Sequence, residues 1–256
     1  MSWELVKGAD IGEIPPTPTS LDETPQIDHA ISVLRKIAYK NGIPTGYKQE
    51  QNGRLIQSIF PIKKLETAQI SSSSKTNLEL HTETAFHPYP PSKVILMCLR
   101  GDTEAFTTFA TVDDIVASLD KTTIDCLKEP LFVTAIDESF RMNGEPNKSV
   151  LLSILRDTPN GLEICFDQFF MRGKTFQAQE ALDAITVAIA DNTKEVSLQA
   201  GDVLTLNNHK LVHGRKSFTA RYDGTDRWLL RALTVSASPP DTQYVYDDHM
   251  IITTEL

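Results

Sequence analysis

The sequence predicts a mainly β domain of the sandwich or jelly-roll class, with a few helices packed against it. From residue 78 onward, short runs rich in β-branched and aromatic residues are separated by turn signals such as Asn-Gly and Pro-Asn. Helical periodicity is confined to two stretches, so the helices that would connect the strands of a parallel α/β sheet are missing. Many short strands with few helices are typical of antiparallel sandwiches and jelly rolls.

The first predicted element is a helix over about residues 25–41. Its apolar residues repeat at helical spacing, Pro25 fits the first helical position after a Thr24 cap, and Gly42 can end the helix. Residues 12–26 are rich in proline and are predicted to be irregular.

Strands are predicted through most of the remaining chain, and one helix interrupts them at about 176–191. The predicted strands are 94–99, 106–112, 130–136, 149–155, 162–170, 195–199, 203–208, 210–215 and 227–235. We expect one domain, with an N-terminal helical or irregular extension at 1–75, a β core at 76–240 and a C-terminal tail at 241–256.

Composition and charge argue against several classes of function. The 256 residues contain 25 Lys and Arg against 34 Asp and Glu, a net charge of −9, whereas a nucleic-acid or anionic-membrane partner requires a concentrated basic face. No run of about eighteen apolar residues could span a bilayer, and the start of the chain lacks the pattern of a secretion signal. Cys98, Cys126 and Cys165 match neither a disulfide framework nor a zinc site. A cytoplasmic location is therefore expected.

The segment LELHTE, residues 78–83, contains a candidate metal-binding pair. Alternation along a strand would place Glu79, His81 and Glu83 on one face, where an imidazole and a carboxylate can converge on one ion. Two histidines and one carboxylate are the usual ligands of non-haem Fe(II) oxygenases. A His-x-acid triplet is expected about once by chance in a chain of this composition, so the surrounding sequence must show whether this one belongs to a metal site.

A third ligand would have to come from another histidine. Of the candidates, His213 has the most suitable surroundings, because it lies on a predicted strand that follows a Gly-Asp turn and a second strand. His87 is too near His81 in sequence to come easily from a facing strand, His29 is in the first predicted helix, and His249 is in the tail. The fifth candidate is His209.

Two arginines lie in the hydrophobic strand predicted at 227–235. A charged guanidinium is costly there unless an anion pairs with it, so Arg227 and Arg231 indicate an anionic ligand near the metal site. Arginine also suits bidentate recognition of a carboxylate. The alternative is a structural salt bridge with Asp223 or Asp226.

Taken together, two long segments resemble the clavaminate synthase-like branch of the Fe(II)/2-oxoglutarate oxygenases, which includes asparagine oxygenase and arginine β-hydroxylase. The segments are LELHTETAFHPYPPSKVILMCLRGD and AGDVLTLNNHKLVHGRKSFTARYDGTDRWLLRALTV. They combine H-x-E, G-D-x-L-x-x-x-N, H-G-R and R-Y-D-G-x-D-R-W-L followed by an arginine. The resemblance covers most of residues 75–235 in the same order, and it is weaker through FTTFATVDDI and LEICFDQFFMRG.

The resemblance implies a double-stranded β-helix, a jelly roll of the cupin type, with an Fe(II) site. It implies that His81, Glu83 and His213 bind the metal and that Arg227 holds the distal carboxylate of the cosubstrate 2-oxoglutarate. Either Thr107 or Thr108 would supply a hydroxyl to that cosubstrate. O₂ is the second cosubstrate.

For the substrate, the resemblance implies a free L-amino acid or derivative that is hydroxylated with release of succinate and CO₂. Arg231 would bind its α-carboxylate, Glu83 would also accept its amine, and Asp167 is placed where relatives read a basic side chain. Desaturation, cyclisation or epoxidation by the same machinery, a substrate tethered to a carrier protein, and a non-catalytic metal-containing module that binds a small acid are the alternatives. A lid is expected at 139–149, where Gly144 and Pro146 would allow either a hinge or an ordinary hairpin turn.

Overall fold

The computed structural model describes residues 1–23, 25–136, 140, 149–240, 242–245 and 249–254. Its helices are α1 (Asp28–Asn41), α2 (Val112–Ala117), α3 (Lys121–Lys128) and α4 (Phe176–Asp191). Its strands are β1 (Trp3–Val6), β2 (Ile43–Tyr47), β3 (Ile56–Ile59), β4 (Leu78–His81), β5 (Lys93–Arg100), β6 (Thr107–Thr111), β7 (Phe132–Ala135), β8 (Ser149–Leu152), β9 (Leu155–Thr158), β10 (Gly161–Ile164), β11 (Arg172–Gly173), β12 (Lys194–Val196), β13 (Val203–Asn207), β14 (Leu211–Arg215), β15 (Trp228–Val235), β16 (Thr242–Val245) and β17 (His249–Ile252).

Two sheets enclose the central core. The main sheet has the order β1-β13-β5-β15-β2-β17-β16, with β3 also paired to β15, and the second sheet has the order β12-β6-β14-β4. Leu96, Leu204 and Leu229 from the main sheet pack in one apolar cluster with Phe109 and Leu211 from the second. The prediction of a mainly β protein with a few packing helices is confirmed.

Helix α1 covers the outer face of the main sheet. Leu34 of this helix is fully buried in a cluster that includes Ile95 and Met97 of β5, whereas Leu96 and Cys98 of the same strand face the central core. Both faces of β5 are therefore buried, because successive side chains point to opposite sides of a strand. This is why the run VILMCL is continuously apolar rather than alternating.

Helices α2, α3 and α4 cover the outer face of the second sheet. Ala110 of β6 and Val212 of β14 join Ile115, Leu127 and Ile185 from the three helices in a separate apolar cluster. Helix α4 has the bounds that the sequence predicts. The Thr175 side chain caps its N-terminus by accepting a hydrogen bond from the amide of Ala178.

Several predicted boundaries are wrong. Helix α1 begins at Asp28 rather than at Pro25, after Ile27 in a non-helical conformation without a side-chain cap; Thr24 lies outside the described residues. The strand predicted at 149–155 is two strands, β8 and β9, and the strand predicted at 162–170 ends at Ile164. Helices α2 and α3 were not predicted.

The terminal regions also contain strands that the sequence did not indicate. Strands β1, β2 and β3 extend the main sheet within the region predicted as helical or irregular, and β16 and β17 do so within the predicted tail. Gly144 and Pro146 of the expected lid lie outside the described residues. In the part of the chain that is described, no helix is both long enough and apolar enough to cross a membrane.

Truncation of Leu34 tests the packing of α1. We expect Leu34→Ala to lower the free energy of unfolding by about 2–5 kcal/mol, because it opens a cavity in a fully buried cluster. Lys36→Ala, on the exposed face of the same helix, is the matched control and should change the free energy of unfolding by less than about 0.5 kcal/mol. Urea denaturation measures both values, and equal losses would contradict this packing.

Candidate active site

Strand pairing brings the three predicted metal ligands together. In the second sheet, His213 of β14 lies opposite His81 of β4, and the centroids of the two imidazole rings are 4.6 Å apart. Glu83 follows two residues after β4, and its carboxylate Oε2 is 3.5 Å from His213 Nε2. One ligand atom from each of the three residues lies within 4.8 Å of the other two. The structure thus forms the triad predicted from H-x-E and H-G-R.

The prediction that Glu83 shares a strand face with His81 through alternation is wrong. Strand β4 ends at His81, and Glu83 belongs to the turn that follows, in which Thr84 adopts a positive φ of 52°. Asn208 fixes this turn: its Oδ1 accepts a hydrogen bond from the Glu83 amide at 2.7 Å, and its Nδ2 donates to the Glu83 and Pro91 carbonyls at 3.1 and 2.9 Å. The asparagine that ends G-D-x-L-x-x-x-N therefore positions a predicted metal ligand.

The environment favours the protonation states that bind a metal. Burial raises the pKa of the Glu83 carboxyl, but Arg231 and the two histidines outweigh this effect, and the pKa lies well below its usual range. Burial lowers the pKa of His213, which Glu83 only partly opposes. An ionised carboxylate and a neutral imidazole are the ligating forms.

The second histidine is oriented for ligation as well. His81 Nδ1 is 2.8 Å from the Glu79 carbonyl oxygen, and a proton on Nδ1 leaves the Nε2 lone pair available to a metal. Two neutral imidazoles and one carboxylate, open on one side, fit a divalent transition metal and in particular Fe(II).

A cavity of about 290 Å³ opens beside the triad, and three buried arginines, Arg215, Arg227 and Arg231, line it. Arg227 Nη2 donates to Thr107 Oγ1 at 3.1 Å, and burial lowers the pKa of Arg227 to about 10, so it is charged at neutral pH. No salt bridge joins Arg227 to a described carboxylate. Asp226 instead accepts from the amides of Arg221 and Tyr222, so the structural alternative for Arg227 is wrong with respect to Asp226.

Of the two candidate hydroxyls, Thr107 lines the cavity and Thr108 does not. Adjacent residues of β6 point to opposite faces of the second sheet, and Thr107 shares the face of Phe109 in the central core. Asp223, the other acid considered as a salt-bridge partner, accepts hydrogen bonds from Thr225 through its carboxylate instead, in the loop before β15.

Arg231 is surrounded by acceptors. Its Nη1 donates to Glu83 Oε1 at 2.9 Å, its Nε donates to Gln57 Oε1 at 2.9 Å, and its Nη2 donates to Glu50. Burial lowers the pKa of Arg231, but the two carboxylates raise it above its ordinary value. Gln57 lies directly opposite Arg231 in the pairing of β3 with β15, so sheet register sets this contact.

Sequence reasoning missed Glu50, Gln57 and the cavity position of Arg215. Arg215 Nη2 donates to Ser73 Oγ at 2.8 Å and to the Thr76 carbonyl at 3.1 Å, which holds the segment before β4. Burial, with Arg227 nearby, lowers the pKa of Arg215 to about 9. The H-G-R motif was a signal for Arg215, whereas nothing local marks the other two residues.

Asp167 does not line the cavity. Its backbone forms an isolated bridge with His81, and its Oδ1 accepts hydrogen bonds from the amides of Phe169 and Phe170 at 2.9 and 2.8 Å. Its carboxylate therefore stabilises the turn after β10 in this structure.

The remaining histidines stay apart from the triad. His29 Nε2 is 3.1 Å from Asp10 near the surface. His87 is buried, its Nδ1 accepts from the Tyr89 amide, and burial lowers its pKa to about 4. His209 takes no part in the metal cluster found among the described residues, and the side chain of His249 is outside them.

An open site of two histidines and one carboxylate beside a cavity with buried arginines is typical of the non-haem Fe(II) oxygenases. Comparison with known proteins agrees. Residues 24–233 match the family described as taurine catabolism dioxygenase TauD, TfdA family, and the chain belongs to this family.

Among characterised relatives, an L-lysine 3-hydroxylase of Catenulispora acidiphila is 34% identical over 91% of this chain and 66% of its own length. An L-asparagine oxygenase of Streptomyces coelicolor is 33% identical over 87% of this chain and 67% of its own length. The chain thus spans about two thirds of the length of these relatives.

Solved structures show the same similarity. Asparagine oxygenase in complex with Fe(II), 2S,3S-3-hydroxyasparagine and succinate superposes with a TM-score of 0.86 at 28% identity, over 99% of this chain and 80% of the other. The non-heme iron oxygenase OrfP in complex with Fe and alpha-ketoglutaric acid has a TM-score of 0.82 at 34% identity, over 93% and 76%.

Asn208 provides a test of the turn that presents Glu83. We expect Asn208→Ala to weaken Mn(II) binding about 10- to 100-fold, because the Glu83 backbone loses both of its contacts with the amide. Asn207→Ala, which removes only a local contact to the His209 amide, is the matched control. Calorimetric titration of metal-free protein measures both affinities. Equal affinities in the two variants would show that Asn208 does not position Glu83.

Proposed function

We propose that this protein is an Fe(II)/2-oxoglutarate-dependent dioxygenase that hydroxylates an unactivated C–H bond of a free L-amino acid or close derivative, with release of succinate and CO₂. The observation that carries the proposal is the convergence of His81, Glu83 and His213 beside a cavity that contains Arg227, a buried cation without a carboxylate partner among the described residues. We assign the two facing sheets to the double-stranded β-helix class.

In this proposal, His81, Glu83 and His213 hold the iron on one side. Three protein ligands leave three of about six positions, enough for a bidentate 2-oxo acid and O₂. Bound Fe(II) supplies the activation of O₂ that oxidises the substrate. The chain supplies position: whichever C–H bond the cavity presents to the metal is the one that reacts.

Arg227 and Thr107 form the seat for the distal carboxylate of 2-oxoglutarate. The guanidinium is buried and charged, so a dicarboxylate that enters the cavity brings the anion that this position requires. Thr107 holds the guanidinium through its hydroxyl and so orients the remaining N–H groups.

The names of the relatives support an amino-acid substrate, since they include hydroxylases of lysine and an oxygenase of asparagine. Desaturation, cyclisation and epoxidation by the same site differ only in the product, and mass spectrometry of the product separates them. Asp167 as a contact to a basic substrate side chain and a carrier-tethered substrate stay predictions. Turnover would exclude a non-catalytic module that binds a small acid.

Succinate formation tests the function. With Fe(II), ascorbate and 2-oxoglutarate, we expect one of the twenty L-amino acids, ornithine, citrulline or homoarginine to stimulate succinate release. His81→Ala should reduce the rate to that of a protein-free control, because the metal loses a ligand. A wild-type protein that forms no succinate under any of these conditions would contradict the oxygenase proposal.

The neighbouring threonines offer a matched pair for the cosubstrate seat. Thr107→Val should raise the KM for 2-oxoglutarate about 3- to 10-fold, because Arg227 loses the hydrogen bond that orients it. Thr108→Val, one residue along β6 and outside the cavity lining, should leave this KM within about twofold of wild type. Steady-state succinate assays give both values, and an equal rise in the two variants would argue against the assignment.

A further inference from the structure

One wall of the cavity beside the triad is aliphatic. It is built from the segment before α1, the segment between β3 and β4, and the first residue of β4. We call it the aliphatic wall, and its members are Leu21, Ile62, Leu65, Ile70 and Leu78. Among the described residues at 60–78, none that lines the cavity carries a charge. The cavity therefore places an apolar surface close to the candidate metal ligands and the buried arginines.

Most of this wall is not part of an apolar core. Of its members, only Ile62 packs against one of the three apolar clusters that the described residues form. Leu21 is 38% exposed, and Leu65, Ile70 and Leu78 are half-buried. Burial of apolar surface is favourable roughly in proportion to its area. An apolar ligand group that covers the wall therefore gains affinity from it.

Hydrogen bonds hold the wall in place. The Ile70 carbonyl accepts from the amide and the hydroxyl of Ser73 at 3.1 and 2.8 Å. The Leu65 amide donates to the Ile62 carbonyl at 2.9 Å. Arg215 of β14 donates to Ser73 Oγ at 2.8 Å, so the segment is also tied to the second sheet. A ligand thus meets these side chains as a preformed surface, which lowers the cost of ordering them on binding.

The polar side chains next to the wall are uncharged. Gln69, Ser71 and Ser72 line the cavity beside Ile70. The Gln69 amide is already committed, because its Oε1 accepts from the Glu79 amide at 3.2 Å and its Nε2 donates to the Asn77 carbonyl at 2.9 Å. A cationic ligand group at the wall would therefore find no counter-ion among the described residues of this segment.

The carboxylates of the cavity lie elsewhere. Glu50 and Glu83 are the carboxylates among the described lining residues, and both form ion pairs with Arg231. Two lining acceptors are buried without a partner, Glu50 Oε2 and Gln49 Oε1, and both belong to the segment between β2 and β3. The charged one suffices for the ammonium group that every α-amino acid carries. A second cation, on the side chain, would have no carboxylate of its own in the described part of the cavity.

We propose that the substrate side chain lies against the aliphatic wall and that this protein selects L-amino acids with uncharged aliphatic side chains. The inference rests on the proposed function and names its substrate class. A side-chain ammonium or guanidinium at the wall loses hydration without gaining a counter-ion, whereas a hydrocarbon chain does not incur this cost. The expected substrate thus differs from lysine and asparagine, for which two of the relatives are named.

Two isosteric pairs of ligands test the wall. L-Norleucine and L-ornithine differ by a terminal methyl against an ammonium group, and L-leucine and L-asparagine differ by methyl groups against an amide. Calorimetry under anaerobic conditions, with Mn(II) and 2-oxoglutarate bound, gives dissociation constants without turnover. Wild type is measured beside Ile70→Asp, which places a carboxylate in the wall. Thr67→Asp, at an exposed position of the same segment outside the cavity lining, is the matched control.

We expect wild type to bind norleucine at least about 30-fold more tightly than ornithine, and leucine at least about 10-fold more tightly than asparagine. Ile70→Asp should reduce the preference for norleucine over ornithine at least about 10-fold, because it removes apolar contact and supplies a counter-ion. Thr67→Asp should keep this preference within about twofold of wild type.

Four results would overturn the inference: wild-type binding of ornithine as tight as that of norleucine, equal wild-type binding of leucine and asparagine, an undiminished preference in Ile70→Asp, or no binding of any of the four amino acids. If Ile70→Asp does not fold, Ile70→Ala takes its place and should weaken norleucine binding about 3- to 10-fold. Binding of Mn(II) and then of 2-oxoglutarate, measured before an amino acid is added, tests the oxygenase proposal separately, because it depends on the triad and Arg227.

Discussion

The buried ion pairs of Arg231 connect the parts of the protein that make the site. Arg231 lies on β15 in the main sheet, Glu83 follows β4 of the second sheet, and Glu50 lies between β2 and β3. Burial of any one of these charges alone would cost several kcal/mol, so each requires the others in place. The contacts hold Glu83 Oε1 on Arg231 and leave Oε2 directed at the histidines. The geometry of the candidate metal ligands is therefore coupled to the packing of the two sheets.

The arginines at the other end of the cavity, unlike Arg231, are not neutralised by ion pairs with described residues. Arg227 and Arg215 are buried without carboxylate partners in the described residues, and burial lowers the pKa of each. The fold thus leaves a charge imbalance next to the metal ligands that an anionic cosubstrate can remove. A ligand that binds only the folded state also stabilises that state. A carboxylate from the chain at this position would have paired with the arginine and closed the proposed binding site for the cosubstrate.

The success of the secondary-structure prediction follows the burial of each element. Strand β5 and helix α4 were predicted well, because each packs against a neighbouring layer along its length, and this burial fixes the spacing of its apolar residues. Predicted element boundaries were wrong where a local contact ends the element. Asp167, for example, closes a turn within the strand predicted at 162–170. Strands β1 to β3 escaped prediction because they gain their stability from pairing with β13 and β15.

The sequence by itself determined the candidate metal ligands and the arginines of the last core strand, since H-x-E, H-G-R and the charged residues in an apolar strand are local patterns. Only the tertiary structure shows that Thr107 rather than Thr108 lines the cavity, because this depends on which face of β6 meets the cavity. It also decided how Arg231 is balanced: Gln57 and Glu50 are 174 and 181 positions away in the chain. Sheet pairing makes such distant residues neighbours, and no local pattern records a contact that exists only after the chain has folded.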